Sequence, residues 1–339
     1  STSPTVAITS TTSGVNDGST TSDATIALTF TTSESTTDFV VGDITVGNGA
    51  LSSFTAVSGT VYTATFTPSG QGACTIDVAG NTFTDGASNN NAAASQFNWT
   101  FDNVGPIVTG VSSTKANGSY KEGELIPIMV IFNEVVNVTG TPQITLETGG
   151  TDAVVDYKSG TGTNTLSFDY TIAAGQNSAD LDYVATNSLS LNSGTIKDAT
   201  ENNANLTLPA IGAAGSLALN KALIIDTTPP TVIIASTTGG VNDGSTTSDA
   251  TIALTFTTNE STTDFAVGDI TVGNGVLSSF TGSGTAYTAT FTPSGQGACT
   301  IDVAGNTFTD EVSNNNTAAS QFNWTFDNVG PIVTGVSST

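Results

Sequence analysis

Apolar and polar residues alternate in short stretches along most of this chain. Ile26, Leu28 and Phe30 share one face of such a stretch, and the aromatic residues within 97–101 do the same in another. Alternation with a period of two predicts β-strands that bury one face, and the abundance of Thr and Val fits strands as well. Turn signals such as Pro68-Ser-Gly separate the stretches. No segment carries a convincing helical stripe.

The chain repeats itself. Residues 1–114 recur at 227–339 with few substitutions and a single deletion, so that Cys74 corresponds to Cys299. A different sequence lies between the two copies, and the last residues repeat its beginning. We therefore predict four parts: a first A unit (1–105), a B unit (106–228), a second A unit (229–330) and the first strand of a further B unit (331–339). This order predicts a window on a longer chain of alternating units.

Each unit reads as an all-β domain. Short strands separated by regular turns are typical of an antiparallel β-sandwich. The B unit is longer but similar, and its clearest strands begin at Leu125, Gln143, Thr165 and Ala222. The predicted fold is a set of tandem Ig-like antiparallel β-sandwiches in a linear array.

The charge is strongly negative. The chain has 29 acidic residues, only 5 basic residues and no His, giving a net charge of −24. Nucleic acid is excluded as a partner because its binding relies on Lys and Arg, and His-based catalysis is excluded by composition. Cations held by carboxylates are favoured instead. No apolar run is long enough to span a membrane, and a signal peptide would lie outside this segment.

Several local sequences resemble tandem bacterial Ig-like domains. They are Thr-Phe-Thr-Thr-Ser-Glu34, Asp43-Ile-Thr-Val, Tyr62-Thr-Ala-Thr-Phe-Thr-Pro and Asp85 with Asn89-Asn in the A unit, and Ser119-Tyr-Lys-Glu-Gly-Glu, Phe132-Asn-Glu134, Lys197-Asp198 and Leu223-Ile-Ile-Asp226-Thr-Thr-Pro-Pro in the B unit. Such domains occur in very large prokaryotic surface proteins, namely adhesins, S-layer-type coats and extracellular filaments. The resemblance implies secretion to the cell surface, elongated arrays, frequent Ca²⁺ at domain junctions and no catalysis.

Three acidic positions recur in every unit. They are a Glu after the second main strand, an Asp four residues before an Asn ahead of the last strand, and an Asp that closes the last strand. The Glu residues are Glu34, Glu134 and Glu260. The Asp residues that precede an Asn are Asp85, Asp198 with Asn202, and Asp310 with Asn314. The closing Asp residues are Asp102, Asp226 and Asp327.

Because neighbouring strands alternate in direction, these positions fall at the pole where the chain enters each domain. We expect Asp102 to meet Glu134 and Asp198, and the equivalent acids to meet at the next junction, with no Lys or Arg nearby. A Ca²⁺ ion, which takes six to eight oxygen ligands, would relieve the repulsion. The alternative is that the Glu is a solvated loop residue and the Asp and Asn form only an Asx-turn.

Other residues give weaker signals. Asp17 and Asp23 are a second candidate cation pair, although an Asn-Asp-Gly hairpin turn explains the same sequence. Trp99 and its copy Trp324 are candidates for stacking on a sugar, but they alternate in phase with Phe residues, which favours core positions. Cys74 alternates with apolar residues and is predicted to be a buried free thiol.

The most economical interpretation is a structural segment of a secreted cell-surface repeat protein, forming a Ca²⁺-stiffened stalk, filament or coat. The expected partners are further repeats of the same chain and neighbouring copies in a filament or surface layer, with no nucleic acid and no membrane insertion. Two alternatives stay open: an adhesin module that recognises a glycan or protein, and an accessory region of a secreted hydrolase. No catalytic residues are predicted.

Overall fold

The computed structural model describes residues 2–337, and β-strands dominate it. The first A unit contains eight strands and one turn of 3-10 helix at Val41–Asp43. The strands are β1 (Val6–Ser10), β2 (Thr20–Thr21), β3 (Ile26–Thr32), β4 (Ile44–Gly47), β5 (Gly49–Ala56), β6 (Val61–Pro68), β7 (Gly72–Val78) and β8 (Phe97–Phe101). They form two four-stranded sheets, ordered β1-β3-β6-β5 and β2-β8-β7-β4.

The two sheets of this unit bury one core between them. Phe30 and Phe66 from the first sheet and Cys74 and Trp99 from the second belong to the same buried cluster. The alternation seen in the sequence therefore places one face of each sheet inside. Trp99 is buried, as its phase predicts, and Cys74 is a buried free thiol.

One turn differs from its sequence interpretation. The turn at Asn16–Ser19 is closed by a hydrogen bond from Ser19 N to Asn16 O of 3.0 Å. It does not join a hairpin, because the chain there crosses from the first sheet to the second, where β2 pairs in parallel with β8. The hairpin interpretation of this Asn-Asp-Gly sequence was wrong for that reason.

The B unit has nine strands and one short helix. They are β9 (Val108–Ser113), β10 (Gly118–Tyr120), β11 (Leu125–Thr139), β12 (Gln143–Leu146), β13 (Ala153–Ser159), β14 (Thr163–Thr171), β15 (Leu189–Ser190), β16 (Thr195–Lys197), helix α1 (Leu217–Asn220) and β17 (Leu223–Ile225). Strand β11 is the central element, since it pairs with β14, β9 and β16. Its pairing register shifts between Ile131 and Val136, which marks a β-bulge.

The second A unit repeats the arrangement of the first. Its strands are β18 (Val232–Ser236), β19 (Ser245–Thr247), β20 (Ile252–Thr262), β21 (Ile270–Gly273), β22 (Gly275–Pro293), β23 (Gly297–Val303) and β24 (Phe322–Phe326), with a 3-10 turn at Val267–Asp269. Strand β22 spans both strands of the β5–β6 hairpin, because the one-residue deletion falls there. Trp324 is buried like its counterpart.

Three separate buried clusters lie within residues 6–101, 111–225 and 232–326. The prediction of an all-β fold of sandwiches is confirmed, although short parallel pairs such as β10–β17 accompany the antiparallel ladders. Within 2–337, no helix is long and apolar enough to cross a bilayer.

Residues 331–337 repeat the sequence of β9, but they are exposed and form no strand in the described chain, so their assignment to a further B unit stays a prediction. Residues 338 and 339 lie outside the described part.

Candidate cation sites at the domain junctions

Each junction begins at the residue that closes a unit's last strand. Asp102 follows β8, and its backbone N donates to Thr21 O at 2.9 Å. Asp226 follows β17 in the same way, with its N donating to Tyr120 O at 2.9 Å. Each closing Asp is thus held by the short parallel pair at the end of its own domain.

The Glu of each site lies on a β-bulge of the following domain. Glu134 falls within the register shift of β11, and Glu260 falls within the shift of β20 between Thr257 and Thr262. A bulge re-aims side chains away from the regular alternation. The preceding Asn residues fix the linker, since Asn133 Oδ1 accepts from Ile107 N at 2.8 Å and Asn259 Oδ1 accepts from the equivalent backbone N at 2.6 Å.

The third carboxylate comes from a tight loop. Asp198 Oδ1 accepts from the backbone N of Thr200 at 2.8 Å and of Asn202 at 2.9 Å, and its Oδ2 accepts from Asn202 Nδ2 at 2.8 Å. Asp310 and Asn314 make the same contacts in the second A unit. The predicted Asx-turn is therefore present, and it turns one carboxylate oxygen of each Asp toward the junction.

The structure brings the predicted acids together at both junctions. Carboxylate oxygens of Asp102, Glu134 and Asp198 lie within 4.8 Å of one another, and so do those of the equivalent triad at the second junction, Asp226, Glu260 and Asp310. In each triad the loop Asp is buried and the other two acids are half-buried. Three like charges at this separation repel strongly in a partly desolvated place.

Burial and the neighbouring charges both shift the pKa values of the triad acids. Burial, together with the charges of Asp102 and Asp198, raises the pKa of Glu134 above its usual value. Glu260 responds in the same way at the second junction, with burial as the main cause. For Asp198, burial favours the neutral form, but the hydrogen bonds from Asn202 and Thr200 outweigh it and lower its pKa. At the first junction, the charged form is therefore favoured for Asp198 and disfavoured for Glu134.

The arrangement offers what a hard cation needs. It supplies three carboxylates from two domains, and the chain has no His, the nitrogen ligand that Zn²⁺ and Cu²⁺ favour. A small cavity of about 200 Å³ lies at the second triad, lined by its three acids with Ser261 and Glu311. Oxygen-only ligands of this kind fit Ca²⁺ better than Zn²⁺ or Cu²⁺.

The remaining predicted positions are not gathered into triads among residues 2–337. Glu34 accepts a hydrogen bond from Thr2 Oγ1 at 2.7 Å, and Asp85 has its pKa lowered by the hydrogen bonds of Asn89. The closing Asp that would complete a triad with Glu34 and Asp85, equivalent to Asp226 at the second junction, would fall before residue 1. Asp327 Oδ1 accepts from Val329 N at 3.1 Å, and its role as a cation ligand stays a prediction.

The weaker pair at Asp17 and Asp23 is explained by local contacts. Asp17 Oδ1 accepts from Asn98 N at 2.8 Å, and Asp23 Oδ2 accepts from Thr21 Oγ1 at 2.6 Å. These contacts give each carboxylate a structural role within its own domain.

Direct hydrogen bonds between domains were not foreseen in the sequence. Asn202 Nδ2 donates to the backbone O of Asp102 at 3.0 Å, and Asn314 Nδ2 donates to Asp226 O at 3.0 Å. These amide nitrogens therefore act as links, while the predicted role of the two Asn residues as cation ligands stays a prediction. The sequence did carry a signal for these two residues, because an Asn follows the loop Asp at the same spacing in each unit.

Lysines also lie closer to the junctions than expected. Lys121 Nζ donates to Ser313 O at 2.9 Å across the second junction, and Lys197 pairs with Glu201 at 3.0 Å within the first acidic loop. Neither contacts a triad carboxylate. The expectation of no nearby Lys was therefore wrong. The loops that carry the acids also expose other oxygens, Ser313 O and the Glu201 carboxylate, and these bind the two lysines.

Comparison with known proteins supports the fold at the level of single units. A sequence profile described as bacterial Ig-like domain matches residues 1–101 and again residues 226–326. Among solved structures, the crystal structure of invasin, a bacterial integrin-binding protein, is similar with a TM-score of 0.30 and 15% identity. That similarity covers 96% of this chain and 60% of invasin, so the chain spans less than two thirds of its length. No curated protein matches.

The two profile matches cover both A units, and together they account for more than half of the chain. The structure gives these matched segments the same pair of sheets and the same buried cluster. The chain belongs to the bacterial Ig-like domain family.

Proposed function

We propose that this chain is a structural segment of a secreted cell-surface repeat protein, and that Ca²⁺ bound at its junctions stiffens it into part of a stalk, filament or coat. The observation that carries the proposal is the paired triads, each of which takes one Asp from one domain and two acids from the next. An ion held there would join two domains directly.

The arrangement suits a mechanical role more than catalysis. The triads connect separate cores, and the sequence contains no His or Arg. Without a cation, the closing Asp repels the acids of the next domain, so the junction is held only by hydrogen bonds such as Asn202 to Asp102. With a cation, the same carboxylates become a bridge. Stiffness would therefore depend on the ion concentration.

Secretion fits the same proposal. Ca²⁺ is bound by carboxylate-rich extracellular modules with dissociation constants of about 10⁻⁴–10⁻³ M, which suits an extracellular medium. A net charge of −24 keeps such a chain soluble and concentrates cations around it.

Two measurements on the whole chain test the proposal. Calorimetric titration with CaCl₂ should reveal two sites per chain, one for each triad. Small-angle scattering should show a longer and narrower distance distribution with Ca²⁺ than with EDTA, while circular dichroism keeps its β signal in both, because the ligands lie between cores. An absence of Ca²⁺ binding, or scattering curves that superimpose with and without the ion, would refute the proposal.

A further inference from the structure

The β13–β14 hairpin of the B unit opens at the end away from its turn. Strand β13 stays paired with β14 as far as Tyr157 and Phe168, and within the described chain the ladder goes no further. Beyond that point, residues 153–156 of β13 pair with β12 instead. In the first A unit the equivalent hairpin, β5–β6, remains paired as far as Gly49 and Pro68. The opening therefore belongs to the B unit, and it arises because β13 turns toward β12.

The pairing pattern of β13 shows which backbone groups face the opening. Tyr157 N donates to Pro142 O at 2.7 Å, so the odd-numbered residues of β13 direct their backbone groups toward β12. Thr145 of β12 lies opposite Val154, but its N donates to Ser188 O at 3.1 Å on the far side of β12. The N–H and C=O of Val154 therefore point away from β12 and into the opening.

Strand β14 forms the other wall. Ile172 N donates to Glu124 O at 3.0 Å, so the even-numbered residues of β14 direct their backbone groups toward β11. The backbone groups of Thr171 then point into the opening, on the side opposite Val154. Among residues 2–337, neither Val154 nor Thr171 has a backbone hydrogen-bond partner across it. Each wall thus presents an unpaired strand edge, which is a template for an added strand.

A cavity of about 510 Å³ occupies the opening, a volume within the usual range of ligand sites. Its floor includes the buried residues Ala153, Val155 and Tyr170. Gln176 also lines it, and its Oε1 accepts from the Tyr170 hydroxyl at 2.8 Å and from Ala173 N at 2.9 Å. These bonds leave the side-chain nitrogen of Gln176 available to donate to a guest. The opening therefore combines enclosed space with polar groups and two strand edges.

The side chains around the cavity are mainly acidic. Asp152, Asp156 and Asp169 line it, and Lys158 is the one basic residue among the lining residues. Asp156 accepts a hydrogen bond from Gln143 Nε2 at 2.8 Å, and no ion pair joins Lys158 to any of the three acids in the described chain. Complementary charge steers and selects a partner. The cavity should therefore repel acidic segments and attract basic ones.

We propose that the opening between β13 and β14 binds an extended segment of a partner protein that carries Lys or Arg. The segment lies as an extra strand, antiparallel to one wall and parallel to the other, because β13 and β14 are themselves antiparallel. Its backbone pairs with Val154 and Thr171, and its basic side chains meet the Asp residues around the cavity. This site uses none of the triad acids, so it does not depend on cation binding at the junctions.

The test is fluorescence anisotropy of a labelled pentapeptide, Val-Lys-Val-Lys-Val, blocked at both ends and titrated with the whole chain at low salt. EDTA is present throughout, so that Ca²⁺ binding does not affect the result. Two further peptides separate strand pairing from charge attraction. One carries Glu in place of Lys, and the other keeps Lys but has methylated backbone nitrogens, which cannot donate to a strand edge.

A pair of matched variants locates the site. Asp156→Asn/Asp169→Asn removes two charges beside the cavity and should weaken binding of the Lys peptide on the order of tenfold. Glu122→Gln/Asp180→Asn removes the same charge from exposed positions of the same domain outside the cavity, and it should bind the peptide as the wild type does. Circular dichroism checks that both variants fold.

Strand addition predicts that the Lys peptide binds and that both control peptides bind much more weakly. A methylated peptide that binds as tightly as its parent would reduce the interaction to charge attraction and overturn the proposal. Equal weakening in the two variants would do the same, because the acids of the cavity would then have no special role. Failure of the Lys peptide to bind, or tight binding of the Glu peptide, would also refute it.

Hydrogen exchange gives a check that needs no variant. The amides of Val154 and Thr171 should exchange more slowly once the Lys peptide is bound, because each gains a partner. The amides of Val155 and Tyr170 already face β12 and β11, so they should be slow with and without the peptide. Protection that appears only elsewhere in the chain would place the peptide outside the opening and contradict the proposal.

Discussion

Asn202 donates from its side-chain nitrogen to the backbone carbonyl oxygen of Asp102 at 3.0 Å, across the boundary between two domains. The same nitrogen donates to Asp198 Oδ2 at 2.8 Å. One amide therefore orients a triad carboxylate and holds the incoming chain. The loop that supplies Asp198 to the triad therefore also supplies the hydrogen bond to the preceding domain.

The first prediction concerns this amide. Asn202→Ala should loosen the first junction in the absence of Ca²⁺, because it removes two hydrogen bonds, each contributing about 1 kcal/mol or more. Limited proteolysis in EDTA should then cut the linker at 103–105 faster, while the melting of the cores changes little. Asn314→Ala is the matched control, since it should expose the second linker and leave the first protected. Equal cutting of both linkers in either variant would contradict the prediction.

The second prediction concerns the cation stoichiometry. Glu134→Gln removes one carboxylate of the first triad, so calorimetry should detect one Ca²⁺ per chain where the wild type binds two. Glu260→Gln should have the same effect through the other site, and the double variant should bind none tightly. Asp152→Asn, at an exposed position of the B unit, is the control and should retain both sites. An unchanged stoichiometry in Glu134→Gln would mean that this Glu is only a solvated residue.

The third prediction concerns pH. The pKa of Glu134 and of Glu260 is raised above the usual 4.5, mainly by burial and then by the neighbouring Asp charges. A raised pKa in the folded state stabilises that state when the group is protonated, and this contribution is lost as the pH rises through the folded value. In EDTA, the junctions should therefore become more stable as the pH falls toward 4.5.

The pKa of Asp198 is lowered below the usual 3.8, so its stabilising contribution is lost only at still lower pH. Ca²⁺ binding should respond in the opposite sense, weakening as Glu134 takes up its proton, because the ion needs the charged carboxylate. Scattering and calorimetry across pH 4–7 measure both effects. A double Glu134→Gln/Glu260→Gln variant should lose most of this dependence, and full retention of it would point to other groups.

The fourth prediction concerns the linker. A Cβ added at Gly105 would overlap the backbone oxygen of Asn203, so Gly105→Ala should push the linker away from the acidic loop. The first junction should open and lose its Ca²⁺ affinity, as measured by calorimetry. Gly330→Ala is the matched control, because a Cβ at Gly330 meets nothing within 4 Å. Normal binding at the first site in Gly105→Ala would show that the linker can move without disturbing the triad.

The sequence by itself determined the class of fold. Alternating stretches such as Ile26, Leu28 and Phe30 can bury a face only as strands, and the structure buries all three. The repeat also made the acids noticeable, since Glu134 and Glu260 occupy equivalent places in units that have otherwise diverged. Successive strands reverse direction, so the order of strands along the chain fixes the end of the domain at which each strand terminates. That was sufficient to predict that Asp102 approaches Glu134.

The tertiary structure decided what chain order leaves open. The side-chain nitrogen of Asn202 could face its own loop or the preceding domain, and only the packed junction turns it toward Asp102. The crossover at Asn16 depends on which sheet receives β2, a choice made by packing of the two sheets. What borders the outer edge of a domain's first strand is likewise invisible in the sequence, because a strand's second neighbour is set by the whole sheet. In the B unit, the segment that ends in helix α1 fills that place, whereas in the A units of the described chain only Ala92 and its counterpart Thr317 donate to the chain just before the first strand, at Pro4 O and Pro230 O.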